Sequence, residues 1–195
     1  MQIEIKTLDQ TLINEMKKYN IWSPECPVPL GDLNLINLLH YDFRGNIIRG
    51  QIIVHKKIAE ITANIFQQLL KRKFPIHSVK LIQEFQGDDV LSMEANNSSA
   101  FNFRQIAGTS TISIHSYGLA IDINPVQNPY ITHYNNTVLI QPSISKDFLD
   151  RTHQKPGMVE NIVELFVSHG FNWGGHWKTI KDYHHFEFPL DQLFL

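Results

Sequence analysis

With 195 residues, 43% of them hydrophobic and 18% charged, the chain has the makeup of one folded domain with a real core, and is neither disordered nor long enough for two full domains. A formal net charge of −2 and the lack of any Lys/Arg run exclude nucleic-acid binding driven by bulk electrostatics. A single cysteine, Cys26, excludes an intrachain disulfide framework and a cysteine-rich structural metal site, whereas ten histidines lean toward metal chemistry.

The first ten residues are mixed-polar, without the apolar stretch or small-residue cleavage site of a secretory signal, and no apolar run reaches transmembrane length. Thr7–Tyr19 reads as a first helix, with Leu8, Leu12, Ile13 and Met16 on one face and lysines at its C-terminal end. Asn20–Asp32, with Pro24, Pro27, Pro29 and Gly31, is a loop wrapped onto the domain. Leu35–Asp42 and Asn46–Val54 are apolar, β-rich runs either side of Phe43-Arg44-Gly45, a β-hairpin with Gly45 in its turn. His55–Lys73 carries the strongest helical stripe, Ile58, Thr62, Ile65, Phe66, Leu69 and Leu70, and Pro75 stops it.

Val79–Phe85 alternates as a strand does, and Gly87–Ser99 is polar and turn-rich. Thr111–His115 and Leu119–Ile123 read as two extended arms around Gly118, whose freedom to take φ > 0 lets their residues approach each other. After Asn124-Pro125 comes a long irregular stretch with Asn128-Pro129, Asn135-Asn136 and Pro142, holding at most a minor hairpin at Thr137–Ile140. Such a segment beside a site often frames a substrate. Pro156–His169 reads as another helix, closed by Gly170, and Tyr183–Phe188 as the last strand. The order predicts an α+β fold in a single domain, a small antiparallel sheet with flanking helices. Residues 1–34 form an N-terminal helix and Pro-rich loop packed on the main domain at 35–195.

His115 and Asp122 offer an imidazole nitrogen and a carboxylate oxygen, both suited to zinc, and the C-terminal Asp182-Tyr-His184-His185-Phe-Glu187 can supply a third ligand. Which histidine does so is left open by spacing. Strand alternation puts His184 on the face of Asp182 and Phe186, and His185 on that of Tyr183 and Glu187. A catalytic zinc keeps one position open, lowers the pKa of a water from 15.7 toward ~7 and polarises a carbonyl. Peptide hydrolysis also needs a carboxylate to carry the water's proton to the leaving amine, and Asp182 stands three residues before His185. Arg104 lies shortly before the first motif, where a cation can meet the developing negative charge.

Ser113-x-His115-x-x-Gly118-x-Ala120-x-Asp122, followed far downstream by Asp182-x-x-His185-Phe, resembles the zinc D-alanyl-D-alanine carboxypeptidases and dipeptidases of VanY type. It also resembles the L-alanyl-D-glutamate endopeptidases of phage lysins and the fold these share with the Hedgehog signalling domain. Asn97-x-Ser99-Ala100-Phe-Asn-Phe103-Arg104 and Ile123-Asn124-Pro125 are similar to the same family, and the likeness runs from about Leu35 to Phe188. The resemblance implies His115, Asp122 and His185 as Zn2+ ligands, and Asp182 as general base and acid. It further implies Arg104 as oxyanion or substrate partner and Ser113 as a substrate contact. Better-known dipeptidases carry Glu-x-x-His where this chain has Asp182-x-x-His185; the shorter carboxylate is usual in the endopeptidase and some carboxypeptidase branches.

The expected activity is therefore a zinc metallopeptidase acting on peptidoglycan stem peptides, foremost a D,D-carboxypeptidase. An L-alanyl-D-glutamate endopeptidase is the neighbouring alternative, and a non-catalytic zinc-binding domain the alternative of another class. Such a substrate implies a periplasmic or extracellular site of action, against which the lack of a signal leaves the cytoplasm open. Other residues have plainer readings. His40, His55, His77, His133, His153 and His169 are assigned as core or surface histidines. Arg104 can instead pair with Asp88 or Asp89. His176 and Trp177, next to the C-terminal motif, are candidate substrate contacts, with Trp177 and Trp173 otherwise core or rim aromatics. Glu187 is a supporting or solvent carboxylate. Cys26 has no partner for nucleophilic chemistry, and no Gly-x-Ser-x-Gly elbow is present.

Overall fold

The computed structural model describes residues 3–134 and 137–194. Its largest sheet is built on the hairpin of β2 (Leu33–Tyr41) and β3 (Ile47–His55), with β1 (Glu4–Thr7) added antiparallel on the free edge of β2. The apolar run of β2 is almost continuous because both of its faces are covered. Alternation sends Leu33 and Leu35, with Ile53 opposite Leu35, to one side, against Leu12 and Met16 of α1 (Gln10–Lys18), Ile21, Val28 and Phe101. It sends Ile36 and Leu38, with Ile52 and Val54, to the other side, against Ile58, Ile65, Phe66 and Leu69 of α2 (Lys56–Lys71). His55 starts α2, its ring accepting the N–H of Lys57.

The chain then runs through β4 (Ser78–Val79), α3 (Asp89–Glu94) and β5 (Asn97–Ser98), the two strands pairing in parallel. β6 (Ala120–Asp122) follows, then the hairpin of β7 (Tyr130–Tyr134) and β8 (Thr137–Gln141). Last come α4 (Val163–Val167), β9 (Asn172–Trp173), β10 (Lys181–Asp182) and β11 (His185–Glu187). β11 lies between β6 and β9 in one small sheet, and β10 extends the β7–β8 hairpin in another. Phe186 of β11 stacks on Phe166 of α4 with ring centroids 3.9 Å apart, which anchors this sheet to the main core. The architecture is the expected α+β single domain, with several small antiparallel sheets in place of one.

Four expectations on local structure need correction. Val79–Phe85 is a strand only at its first residue; Val79, Ile82 and Phe85 recur every three positions, and Ile82–Phe85 is a 3₁₀ turn. The polar stretch 87–99 contains α3, started by Asp88, whose carboxylate accepts the N–H groups of Val90 and Leu91. The irregular stretch after Asn124 holds the full β7–β8 hairpin, with Asn135 and Asn136 outside the described residues. The helix expected at Pro156–His169 is regular only over Val163–Val167. Asn128 takes the backbone before it, donating to Gly157 O and accepting from Val159 N. No helix among the described residues is long and apolar enough to cross a membrane.

Candidate metal centre

The site starts from a turn, not from an extended arm as expected. Ser113 takes the N-cap of the 3₁₀ turn Ile114–Tyr117, its Oγ accepting the N–H of His115 at 3.3 Å, and Gly118 ends the turn at φ 66°. A side chain at Gly118 would lie 2.6 Å from the backbone N of His55, so this close approach to β3 admits only glycine. Two residues after Gly118 the chain enters β6. Its last residue, Asp122, is the direct cross-strand neighbour of His185 in β11, which sets the two side chains on one face.

His115, Asp122 and His185 converge there, all buried, with one donor atom from each within 4.8 Å of the others. His115 Nε2 lies 3.1 Å from Asp122 Oδ2 and 3.3 Å from His185 Nδ1, and His185 Nδ1 lies 3.0 Å from Asp122 Oδ1. The outer nitrogens settle the tautomers. His115 Nδ1 faces the carbonyl of Ala100 at 2.6 Å, and His185 Nε2 faces the Glu187 carboxylate at 3.3 Å. Both partners only accept, so both outer nitrogens carry hydrogens. In the neutral rings the two inner nitrogens then present lone pairs beside a carboxylate. Three acceptors facing one another require a cation among them, which is the arrangement of a metal site with oriented imidazoles.

Without a metal, a proton serves. Burial pushes His185 down, but hydrogen bonds to Asp122 and Glu187 and the charges of Asp122 and Asp182 win, raising it to about 10. Burial likewise opposes ionisation of Asp122, and the charges of His115 and His184 with hydrogen bonds from His115 and His185 hold it well below the usual carboxylate range.

The bend at Tyr183–His184 between β10 and β11 sorts the tandem histidines. His185 turns to the triad, while His184 turns to Asp182, its Nε2 3.0 Å from Asp182 Oδ1. Burial opposes the charge of His184, but Asp182 and Asp122 raise it to about 9. Asp182 is tightly seated. Gly174 packs so close that a Cβ there would lie 2.5 Å from the Asp182 carbonyl oxygen and 2.9 Å from its Cβ. Lys181 pins the same turn by donating to the carbonyls of Gly175 and Trp177. Gly174→Ala is therefore expected to shift Asp182 at an overpacking cost of about 1–3 kcal/mol. In an assay of the activity proposed below, kcat should drop at least about tenfold while metal content is kept, as a misplacement of about 1 Å can do. An unchanged kcat would show that the seat of Asp182 tolerates the methyl.

Of the other residues singled out in the sequence, Trp177 is half-buried with its ring 5.5 Å from that of His185, at the edge of the triad. His176 is exposed and sets its ring edge-on against Trp173, 5.0 Å away, with no contact to the triad. Ser113 is buried and engaged as the cap of the His115 turn. The backbone of Arg104 is bonded to that turn through Ser113 N and Ser116 Oγ, while its Nη2 pairs with Asp89 at 2.8 Å, the plainer of the two roles considered. Sequence reasoning missed Asn128 and Arg151. Asn128 bonds the carbonyls of Ile123 and Asn124 and accepts from Arg151, whose guanidinium lies over the Tyr183 ring at 4.5 Å. The Asn-Pro pairs signalled turns; nothing in their spacing signalled this bracing.

Against known families, residues 107–188 match the one described as D-alanyl-D-alanine carboxypeptidase. The matched span holds Ser113, His115, Asp122, His176, Trp177, Asp182 and His185. It covers fewer than half of the 195 residues, and starts after Arg104 and well after the Leu35 expected from the motifs. The match supports a peptidase, and the buried His-Asp-His group fits a metal-dependent one. No curated protein and no solved structure matches the chain.

Proposed function

We propose that the chain is a zinc-dependent peptidase of peptidoglycan stem peptides, removing the terminal D-alanine as a D,D-carboxypeptidase. The observation that carries this reading is the convergence of His115, Asp122 and His185 with Asp182 seated three residues upstream, all inside the span matched to the carboxypeptidase family. His115 Nε2, Asp122 and His185 Nδ1 would hold the zinc, which supplies an acidified water and polarisation of the scissile carbonyl when bound. Asp182 accepts the water's proton as the water attacks the carbonyl carbon, then hands that proton to the departing amine as the C–N bond breaks. Arg104 spends only Nη2 on Asp89 and keeps donors for the substrate carboxylate or the oxyanion. Trp177 narrows the approach to His185 and offers a flat surface to the peptide. A purely structural metal site has no use for Asp182, which weighs against the non-catalytic alternative. The proposed substrate places the enzyme in the periplasm or outside the cell.

The test is mass spectrometry of defined muropeptides incubated with zinc-loaded protein, beside a chelated control. The expected result is loss of one D-alanine from the pentapeptide. Release of fragments cut after L-alanine would move the chain to the endopeptidase branch, and no cleavage with zinc bound would overturn the peptidase reading.

A further inference from the structure

His184 has no place in the chemistry so far, yet it is 3% exposed and fixed on every side. Its Nδ1 faces the carbonyl of Asn128 at 2.7 Å, and because a carbonyl only accepts, Nδ1 carries the hydrogen. Its own carbonyl accepts the N–H of Ile123 at 3.0 Å. Asn128 is itself immobile. Its amide nitrogen donates to Ile123 O, Asn124 O and Gly157 O, and its amide oxygen accepts from Arg151 and Val159. The far end of this braced ring, Nε2, sits 3.0 Å from Asp182 Oδ1, which also only accepts, so Nε2 carries a hydrogen as well. That contact is close without being an aligned hydrogen bond, and among the described residues the buried Oδ1 has no better donor.

We infer that His184 is the positioning residue of Asp182. The rigid ring holds one carboxylate oxygen and leaves the other for the water and the leaving amine. This rests on the peptidase reading for what Asp182 does, and on geometry for how it is held. His184 stays behind Asp182, away from substrate, and neither gains nor loses a proton during turnover. The proton from water travels on Asp182 to the leaving nitrogen. The sequence carries the device as an adjacent His-His pair, in which neighbouring side chains turn to opposite sides, one ring toward the triad and the other toward Asp182.

Two substitutions separate the two ends of the ring. The amide nitrogen of glutamine reaches the place of Nε2 and can still meet Asp182; that of asparagine reaches the place of Nδ1 and can only meet the Asn128 carbonyl. Crystal structures of the zinc-loaded wild type, His184→Gln and His184→Asn would be read for the Asp182 side chain, and kinetics measured on the pentapeptide. The expected result is one Asp182 orientation in the wild type and His184→Gln, and a rotated or split one in His184→Asn. With it, kcat should fall about 10–100-fold in His184→Asn, KM and zinc content should be unchanged, and His184→Gln should stay close to wild type. An undisturbed Asp182 in His184→Asn, or equal losses in both variants that follow their Tm, would overturn the assignment. Should His184→Asn fail to fold, His184→Gln decides alone: Asp182 in place supports the assignment and Asp182 displaced overturns it. A wild type that cuts no muropeptide would sink the peptidase reading, while the Asp182 orientations would still decide whether His184 holds it.

Discussion

Asp182→Asn is expected to lower kcat by about 10²–10⁴, the range general acid–base catalysis contributes, with zinc content, fold and KM close to wild type. The substitution keeps the shape that packs against Gly174 and removes the negative charge, and with it the ability to take and return a proton. Asp182 is not among the three converging donors, so the metal should stay. It carries no apolar burial, so the expected cost in stability is confined to the loss of its charge beside the buried His184. A drop in kcat at constant KM is the signature of an interaction made in the transition state alone. Titration of bound zinc beside steady-state kinetics on the pentapeptide checks both halves. Activity within a few-fold of wild type would remove Asp182 from the mechanism, and loss of zinc along with activity would make it a part of the metal site.

The hairpin and α2 were legible in the sequence because two apolar, β-rich runs flank a turn glycine and the helix repeats its apolar positions every 3.6 residues. The site was legible as residue types in order: a histidine and an aspartate seven positions apart, then Asp-x-x-His. What could not be read was what holds them. His115 was expected on an extended arm, but Ser113 and Gly118 close a turn around it, and that turn aims its ring. Its orientation comes from the carbonyl of Ala100, an acceptor every residue possesses and no sequence displays. The pairing of Asp122 with His185 is a matter of strand register between segments 63 residues apart. The helix expected at Pro156–His169 was lost for a similar reason. Asn128, remote in sequence, bonds its first turn and shortens it to α4. Local periodicity cannot weigh a competitor that arrives through the tertiary fold. Tandem histidines were legible as two candidates, and the bend at Tyr183–His184, ahead of the pairing of His185 with Asp122, is what sorts them.

Chelation should abolish turnover without unfolding the chain, and the gap in stability between zinc-loaded and metal-free protein should widen as pH rises. Two extensive apolar clusters, around α2 and around α1, are packed without any help from an ion, so the chain is expected to stay folded when the metal is removed. The metal-free site keeps a protonated His185 beside an ionised Asp122, which satisfies the acceptors that zinc would otherwise neutralise. At free zinc about 1,000 times its Kd, binding adds about 4 kcal/mol. For a chain of this size that raises Tm by roughly 8–16 °C. The pH dependence follows from the proton that zinc must displace. In the metal-free protein His185 is raised from an unfolded value of about 6.5 to about 10. Its contribution is therefore complete below pH ~6.5 and is lost as pH rises through about 10. With zinc bound, His185 carries no such proton, and nothing is lost over that window. Below ~6.5 the unfolded chain takes up the proton and the zinc-loaded one does not, so the loaded form loses ground instead. Both effects act in the same direction. At fixed free zinc, each pH unit between 6 and 8 should strengthen binding about tenfold, or about 1.4 kcal/mol. Calorimetry in buffers of different ionisation enthalpy should count about one proton released per zinc. Proton-free binding would show that His185 is already neutral before the metal arrives, and a Tm indifferent to chelator would show that these three side chains hold no metal at all.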